Sequence, residues 1–139
     1  MTSRELYCCM YKNQTRVVTN GNFHFQRLGL DQPGLLMLIR EMQGTLKDPS
    51  QEVKSISLSY NDKLGDIGVN KLVEFLPSNL NSLGLVDCNI SDKGGAKLLG
   101  WIKSATDLKM FCVEHNHFSG EMKILLQHIS RVKGFDLFI

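Results

Sequence analysis

One short stretch carries the residue types of a metal site. Cys112-x-Glu114-His115-x-His117 puts a thiol, a carboxylate and two imidazoles close together. Zinc takes such ligands, and a zinc with one open position activates water for hydrolysis. The spacing argues against this use. His115 and His117 flank Asn116 where a strand gives way to a turn, so their side chains fan outward. No C-x-x-C pair accompanies them, and a closed zinc site needs four ligands. No metal and no cofactor is expected, and a metal-dependent enzyme built on this cluster is the weakest of the functional readings. Other catalytic signatures are missing too. There is no G-x-S-x-G, no G-x-x-x-x-G-K phosphate loop and no motif setting a cysteine beside a basic histidine. Gly94-Gly95 reads as a helix start, because the rest of a dinucleotide fingerprint does not follow. His24 and His128 have no partner a sequence can name. Trp101 reads as a packing residue, and Cys8 and Cys9 as plain strand residues. The chain is therefore not expected to be an enzyme.

The elements that position these residues repeat. Val53-x-x-Ile56-x-Leu58-x-x-Asn61 is followed by Leu80-x-x-Leu83-x-Leu85-x-x-Cys88 and then by Leu108-x-x-Phe111-x-Val113-x-x-Asn116. All nine apolar positions of L-x-x-L-x-L-x-x-N/C are filled by apolar residues. At the chain's 42% apolar frequency, chance alone does this about once in 2,500 trials. Each strand-like core leads through a turn into a helix. The sequence suggests Asp66 as the cap of a helix ending at Leu76, where Pro77 blocks continuation. Ser91 or Asp92 caps a helix to Lys103, and Ser119 one to about His128. An earlier, degenerate unit aligns Asn20, Phe23 and Phe25 with Leu80, Leu83 and Leu85. Its helix runs from Pro33 to Gly44 or Thr45. Val132, Phe135 and Leu137 repeat the spacing a last time as a terminal strand. Two strand-like runs, Glu5 to Lys12 and Arg16 to Phe25, are joined at Asn13-Gln14, and Thr19-Asn20-Gly21-Asn22 interrupts the second. They suggest a hairpin covering the open end of the stack.

Units of 27 to 28 residues with a full helix resemble the ribonuclease-inhibitor-like class of leucine-rich repeats. The resemblance covers about Asn20 to Ile139. It implies an α/β fold: a right-handed solenoid with parallel strands on the concave face, helices on the convex face and an N-terminal β-hairpin-like cap. The whole of 1–139 is then one domain. Residues 1–26 form the cap, repeats fall at about 20–52, 53–79, 80–107 and 108–131, and 132–139 is the terminal strand. No unit can bury its apolar face alone, and stacking buries that face continuously at roughly 25 cal/mol per Å². Asn61 and Asn116 sit where the chain leaves the strand, and their amides suit unpaired turn groups of adjacent units.

The residues between template positions project from the concave sheet in rows: Asn22, His24 and Gln26; Ser55, Ser57 and Ser59; Ser82, Gly84 and Val86; Met110, Cys112 and Glu114; Gly134, Asp136 and Phe138. Arg27, Tyr60, Asp87 and His115 follow the strands along one rim. The middle of this surface is small and flat, and its flanks are larger. The contact residues expected from this arrangement are His24, Gln26, Ser55, Ser57, Ser59, Tyr60, Ser82, Gly84, Val86, Asp87, Met110, Cys112, Glu114 and His115, with Tyr60 and Met110 as anchors. Small stand-alone repeats of this type are similar to adaptor subunits and to bacterial proteins delivered into host cells. The function this implies is non-catalytic protein binding. The alternative is a structural or regulatory subunit that docks by its helices or its terminal edge.

Bulk properties agree. Over 139 residues, 16 basic side chains offset 14 acidic ones for a net charge of +2. That balance does not point to nucleic acid or an anionic membrane as partner. The apolar runs are too short to span a bilayer, and the first residues lack the apolar core of a secretory signal. Four cysteines without a pairing framework suggest reduced thiols and a cytoplasmic location, or a host cytosol after delivery. A monomer, or a weak oligomer formed through the terminal edge, is expected.

Overall fold

In the computed structural model, residues 16–19, 21–47 and 52–139 are described; for residues 16–19 and Thr45 this extends to the backbone alone. Six strands form one sheet whose spatial order is the chain order: β1 Arg16–Thr19, β2 Asn22–Phe25, β3 Ser55–Ser57, β4 Ser82–Gly84, β5 Met110–Cys112 and β6 Asp136–Phe138. Four helices separate the last five strands: α1 Gln32–Leu46, α2 Gly65–Phe75, α3 Asp92–Ser104 and α4 Gly120–Lys133. Strands β2 to β6 are parallel, each joined to the next through a helix. This is the expected α/β repeat solenoid.

The register confirms the template. Phe23 pairs with Ile56, Ile56 with Leu83, and Leu83 with Phe111. All four are buried, as are Phe25, Leu58, Leu85 and Val113 two residues on. Leu38, Leu72, Leu98 and Leu126 close the same core from the helix side, each no more than 1% exposed. Trp101 joins them at 7% exposure, a packing residue as expected, although its indole N–H has no hydrogen-bond partner among the described residues. Cys8 and Cys9, and the run from Glu5 to Lys12, lie outside the described residues.

Two expectations about the ends are corrected. The expected turn at Asn13-Gln14 lies outside the described residues, but the second of the two expected strand runs is not one strand. Strands β1 and β2 pair antiparallel from Arg16 with Phe25 to Thr19 with Asn22. What read as an interruption of one strand is therefore the turn between two. Gly21 makes this turn possible: its φ is +86°, and a Cβ there would stand 2.4 Å from the Glu52 carbonyl oxygen. Its own carbonyl accepts from the N–H groups of Lys54 and Ser55. At the other end, α4 runs past His128 to Lys133 and stops at left-handed Gly134, whose N–H returns to the Ser130 carbonyl. Val132 lies on this helix, 66% exposed. Leu137, not Phe135, pairs with Phe111. The last strand is thus two residues out of the expected register, which preserves its faces but moves Asp136 beside Met110 and Phe138 beside Cys112.

Helix starts are tied across units. Asp31 caps α1, its carboxylate accepting from the Gly34 N–H at 2.9 Å. Asp66 was expected to cap its own helix, but Leu64 holds that position without a side-chain bond. Asp66 reaches instead into the next unit, accepting from the N–H and hydroxyl of Ser91 and the N–H of Gly94. Asp92 likewise accepts from the Ser119 N–H, and Ser119 caps α4 through Met122. Gln32 donates to the Leu64 carbonyl. These bonds lock neighbouring helices in register.

Partial burial pushes the Asp66 carboxyl up, but the bonds from Ser91 and Gly94 outweigh it and hold the group below its usual value of 3.8. A lowered folded value means the stabilisation is complete above the unfolded value and fades as pH falls through the folded one. Asp66→Asn is expected to cost about 1 kcal/mol at neutral pH, the size of a partly solvated hydrogen-bonded carboxylate. The difference from wild type should shrink between neutral and strongly acid pH, as the wild-type group loses its charge below its lowered folded value. Urea unfolding at both pH values measures it, and a gap equal at both would refute the charge-based account.

Candidate functional site

The strand side chains that do not enter the core face the other way, and the structure gathers most of those expected from sequence into one groove of about 510 Å³. His24, Gln26, Ser55, Ser57, Ser59, Tyr60, Ser82, Gly84, Val86, Met110, Cys112 and Glu114 line it, with Ile56 and Leu83 at its base. Asp87 and His115 do not line the groove. They stand on its rim with Arg27 and Tyr60, and all four have positive φ, between 52° and 64°. Each directly precedes the residue that closes a template unit, so the tight bend leaving every strand sets the rim.

Asn61 and Asn116 hold that bend. Asn61 is fully buried. Its amide donates to the carbonyls of Phe25, Leu58 and Ser59, and its oxygen accepts from the N–H groups of Leu28 and Leu30 in the preceding unit. Asn116 does the same towards Leu85, Val113, Glu114, Cys88 and Ile90. The Cys88 thiol donates to the carbonyls of Leu58 and Val86. Burial pushes its thiol up to about 11, so it serves the turn as an uncharged donor.

The floor is less available than a row of serines suggests. Ser57 and Ser59 are 9% and 4% exposed. Ser57 accepts from the Gln26 amide and donates to Ser59, which in turn accepts from the Val86 N–H. Ser55 donates to Asn22 and lies 3.0 Å from His24 Nε2. These hydroxyls cross-link β2, β3 and β4. Gly84 lies over them at the centre: a Cβ there would stand 2.9 Å from Ser57 Oγ and 3.2 Å from Ser59 Oγ. The absent side chain leaves room for these two serine hydroxyls beside the strand. Around it stand exposed apolar groups, Tyr60 at 37% and Met110 at 41%. The Arg27 guanidinium covers the Tyr60 ring, 4.2 Å from its centroid.

Phe138, 47% exposed and paired with Cys112, extends this apolar border. It and Asp136 belong to the same face, beyond the residues expected to make contact. The expected rows already put both on this face; the two-residue slip changes their neighbours, setting Asp136 beside Met110 and Phe138 beside Cys112.

The metal reading fails on geometry. Cys112 and Glu114 face the groove, His115 sits on the rim, and His117 joins Ser91 in an isolated bridge. Among the described residues no three histidine, cysteine or acidic side chains converge on a point where a cation could sit. Burial, and after it the Glu114 charge, raise the Cys112 thiol above its usual value, which disfavours thiolate chemistry there.

Among the described residues no helix is long and apolar enough to cross a membrane. In comparison with known protein families, the chain matches a Leucine Rich repeat family at residues 50–73 and 77–99. The match identifies the repeat and not the ribonuclease-inhibitor-like class within it. No curated protein matches the chain.

Proposed function

We propose that this chain, a leucine-rich-repeat protein, is a non-catalytic module that receives a segment of a partner protein in the groove on its strand face. One observation carries the reading: four successive strands contribute to a single groove, bordered by exposed Tyr60 and Met110. Small polar floors with apolar borders suit a protruding helix or loop, whose anchors fill the depression while the border excludes water. The hydrogen-bonded serines fix the floor in advance, which lowers the entropy lost on binding. Repeats of this kind commonly bind proteins. An adaptor or a delivered effector, acting in a cytoplasm, is the setting this favours.

The test is affinity capture with mass spectrometry, comparing wild type with a variant carrying Ser82→Arg and Met110→Arg. These two residues pair across β4 and β5 and border the groove without belonging to the buried serine network. Both proteins must melt alike. The variant is expected to lose its partner at least about tenfold, since two bulky cations block a central contact. An unchanged partner profile would move the site elsewhere.

A second reading draws on β6, an edge of the described sheet bearing half-exposed Phe138. Docking of another chain there would make the protein a structural subunit or a weak oligomer. Mass that rises with concentration in light scattering supports this version.

A further inference from the structure

Charge is unevenly spread over the groove, and this says more about the partner. The chain as a whole carries +2, yet the strand-face and rim positions of β4, β5 and β6 carry no lysine or arginine. They carry Asp87 on the rim, Glu114 in the groove and Asp136 beside Met110. Glu114 is the only carboxylate among the groove-lining residues, and the ion pair among the described residues lies elsewhere, between Lys54 and Glu52. Arg27, at the opposite end of the rim, is stacked over Tyr60. Exposed Met110 and Phe138 alternate with these acids. The face is thus apolar and acidic at one end, and its charged groups are not paired with one another.

We propose that the partner segment enters the groove with basic side chains flanking an apolar one: the apolar group packs on Met110 and Phe138, one cation reaches Glu114 beyond the exit of β5, and another reaches Asp136 at the entry of β6. This rests on the binding reading above and adds the chemistry of the partner. A long basic side chain suits the geometry. Its aliphatic stem can lie along the groove beside Met110 while the charged end extends to a carboxylate of β5 or β6. Opposite charges on the two surfaces also speed encounter and reject acidic competitors.

The experiment uses two short fluorescent peptides, one alternating arginine with leucine and the other glutamate with leucine, titrated into the full chain by anisotropy at low salt. The arginine peptide is expected to bind at least about tenfold tighter, and to weaken as salt rises. Glu114→Gln with Asp136→Asn should reduce its affinity about tenfold, as expected for removing two complementary charges from a contact, while Glu74→Gln on the helix side leaves it unchanged. Equal binding of the two peptides, or indifference to the double variant, overturns the proposal. The same double variant then enters the capture experiment. A partner lost with Ser82→Arg/Met110→Arg but retained by Glu114→Gln/Asp136→Asn leaves the binding module standing and removes this inference alone. Retention by both variants removes both.

Discussion

Asn61→Ala is expected to destabilise the fold by about 3–5 kcal/mol, a large part of the 5–15 kcal/mol that holds a typical domain together. The side chain is 0% exposed and makes five hydrogen bonds, three as donor and two as acceptor. Alanine leaves the N–H groups of Leu28 and Leu30 and the carbonyl of Phe25 without this partner. All three belong to the preceding unit, so the loss loosens a joint between repeats as well as one turn. A buried polar group left unpaired costs about 1–3 kcal/mol, and partial access of water near Leu28 keeps the sum below the maximum. Asn116→Ala removes the equivalent bonds at a half-buried position and should cost about 1–2 kcal/mol, because water can replace some of them. Asn61→Cys, which copies Cys88, keeps a donor but no good acceptor and should fall between wild type and alanine. Urea unfolding of the three variants ranks them. An Asn61→Ala protein within 1 kcal/mol of wild type, or one no less stable than Asn116→Ala, would contradict the bond inventory.

Leu83→Asp is expected to leave the protein unfolded at neutral pH, whereas Ser82→Asp, one residue away, should change stability by no more than about 1 kcal/mol. The two side chains leave the same strand on opposite faces. Leu83 is 1% exposed in the row shared with Ile56 and Phe111, while Ser82 is half-buried at the border of the groove. An aspartate at position 83 loses the packing of a buried leucine, worth about 2–5 kcal/mol. It must also be charged without a partner or give up its charge, costing several kcal/mol more. Leu85→Asp, at a 0% exposed position of the next row, should behave alike. Burial raises the value of such a carboxyl, so its penalty grows as pH climbs above the unfolded value. Both core variants should therefore regain some structure towards pH 4. Circular dichroism and urea titration of the pair at two pH values decide the matter. A cooperatively folded Leu83→Asp protein at neutral pH would overturn the register.

The core was legible in the sequence because it is a periodicity along one strand of chain. A side chain two residues from a buried one returns to the same face, and a unit that repeats must stack its faces. This placed Ile56, Leu83 and Phe111 in one row and Ser55, Ser82 and Met110 on the other side before any coordinates. It also placed the rim residues, since Arg27, Tyr60, Asp87 and His115 hold one template position; that each adopts positive φ follows from the bend, not from its residue type. The terminal strand failed for a local reason. Val132, Phe135 and Leu137 match the template by spacing, but the helix ends only at Gly134, and that end fixes where the strand starts.

Other features belong to pairs of units. Asp66 reads as the cap of its own helix because only its own helix is nearby in sequence, whereas its partners Ser91 and Gly94 are 25 and 28 residues on. Ser57 and Ser59 read as a solvated row until Gln26 and Val86 are laid beside them. The four-residue metal cluster is compact in sequence and scattered in space, because a strand and its turn send successive side chains in different directions. By itself the sequence determined the repeat, its core rows and its two faces, all of which follow from the side-chain period of a strand. Only the tertiary structure decided which side chains meet across units, that Gly84 admits the Ser57 and Ser59 hydroxyls, and that Asp136 stands beside Met110. Those depend on how the strands are stacked, which no single unit encodes.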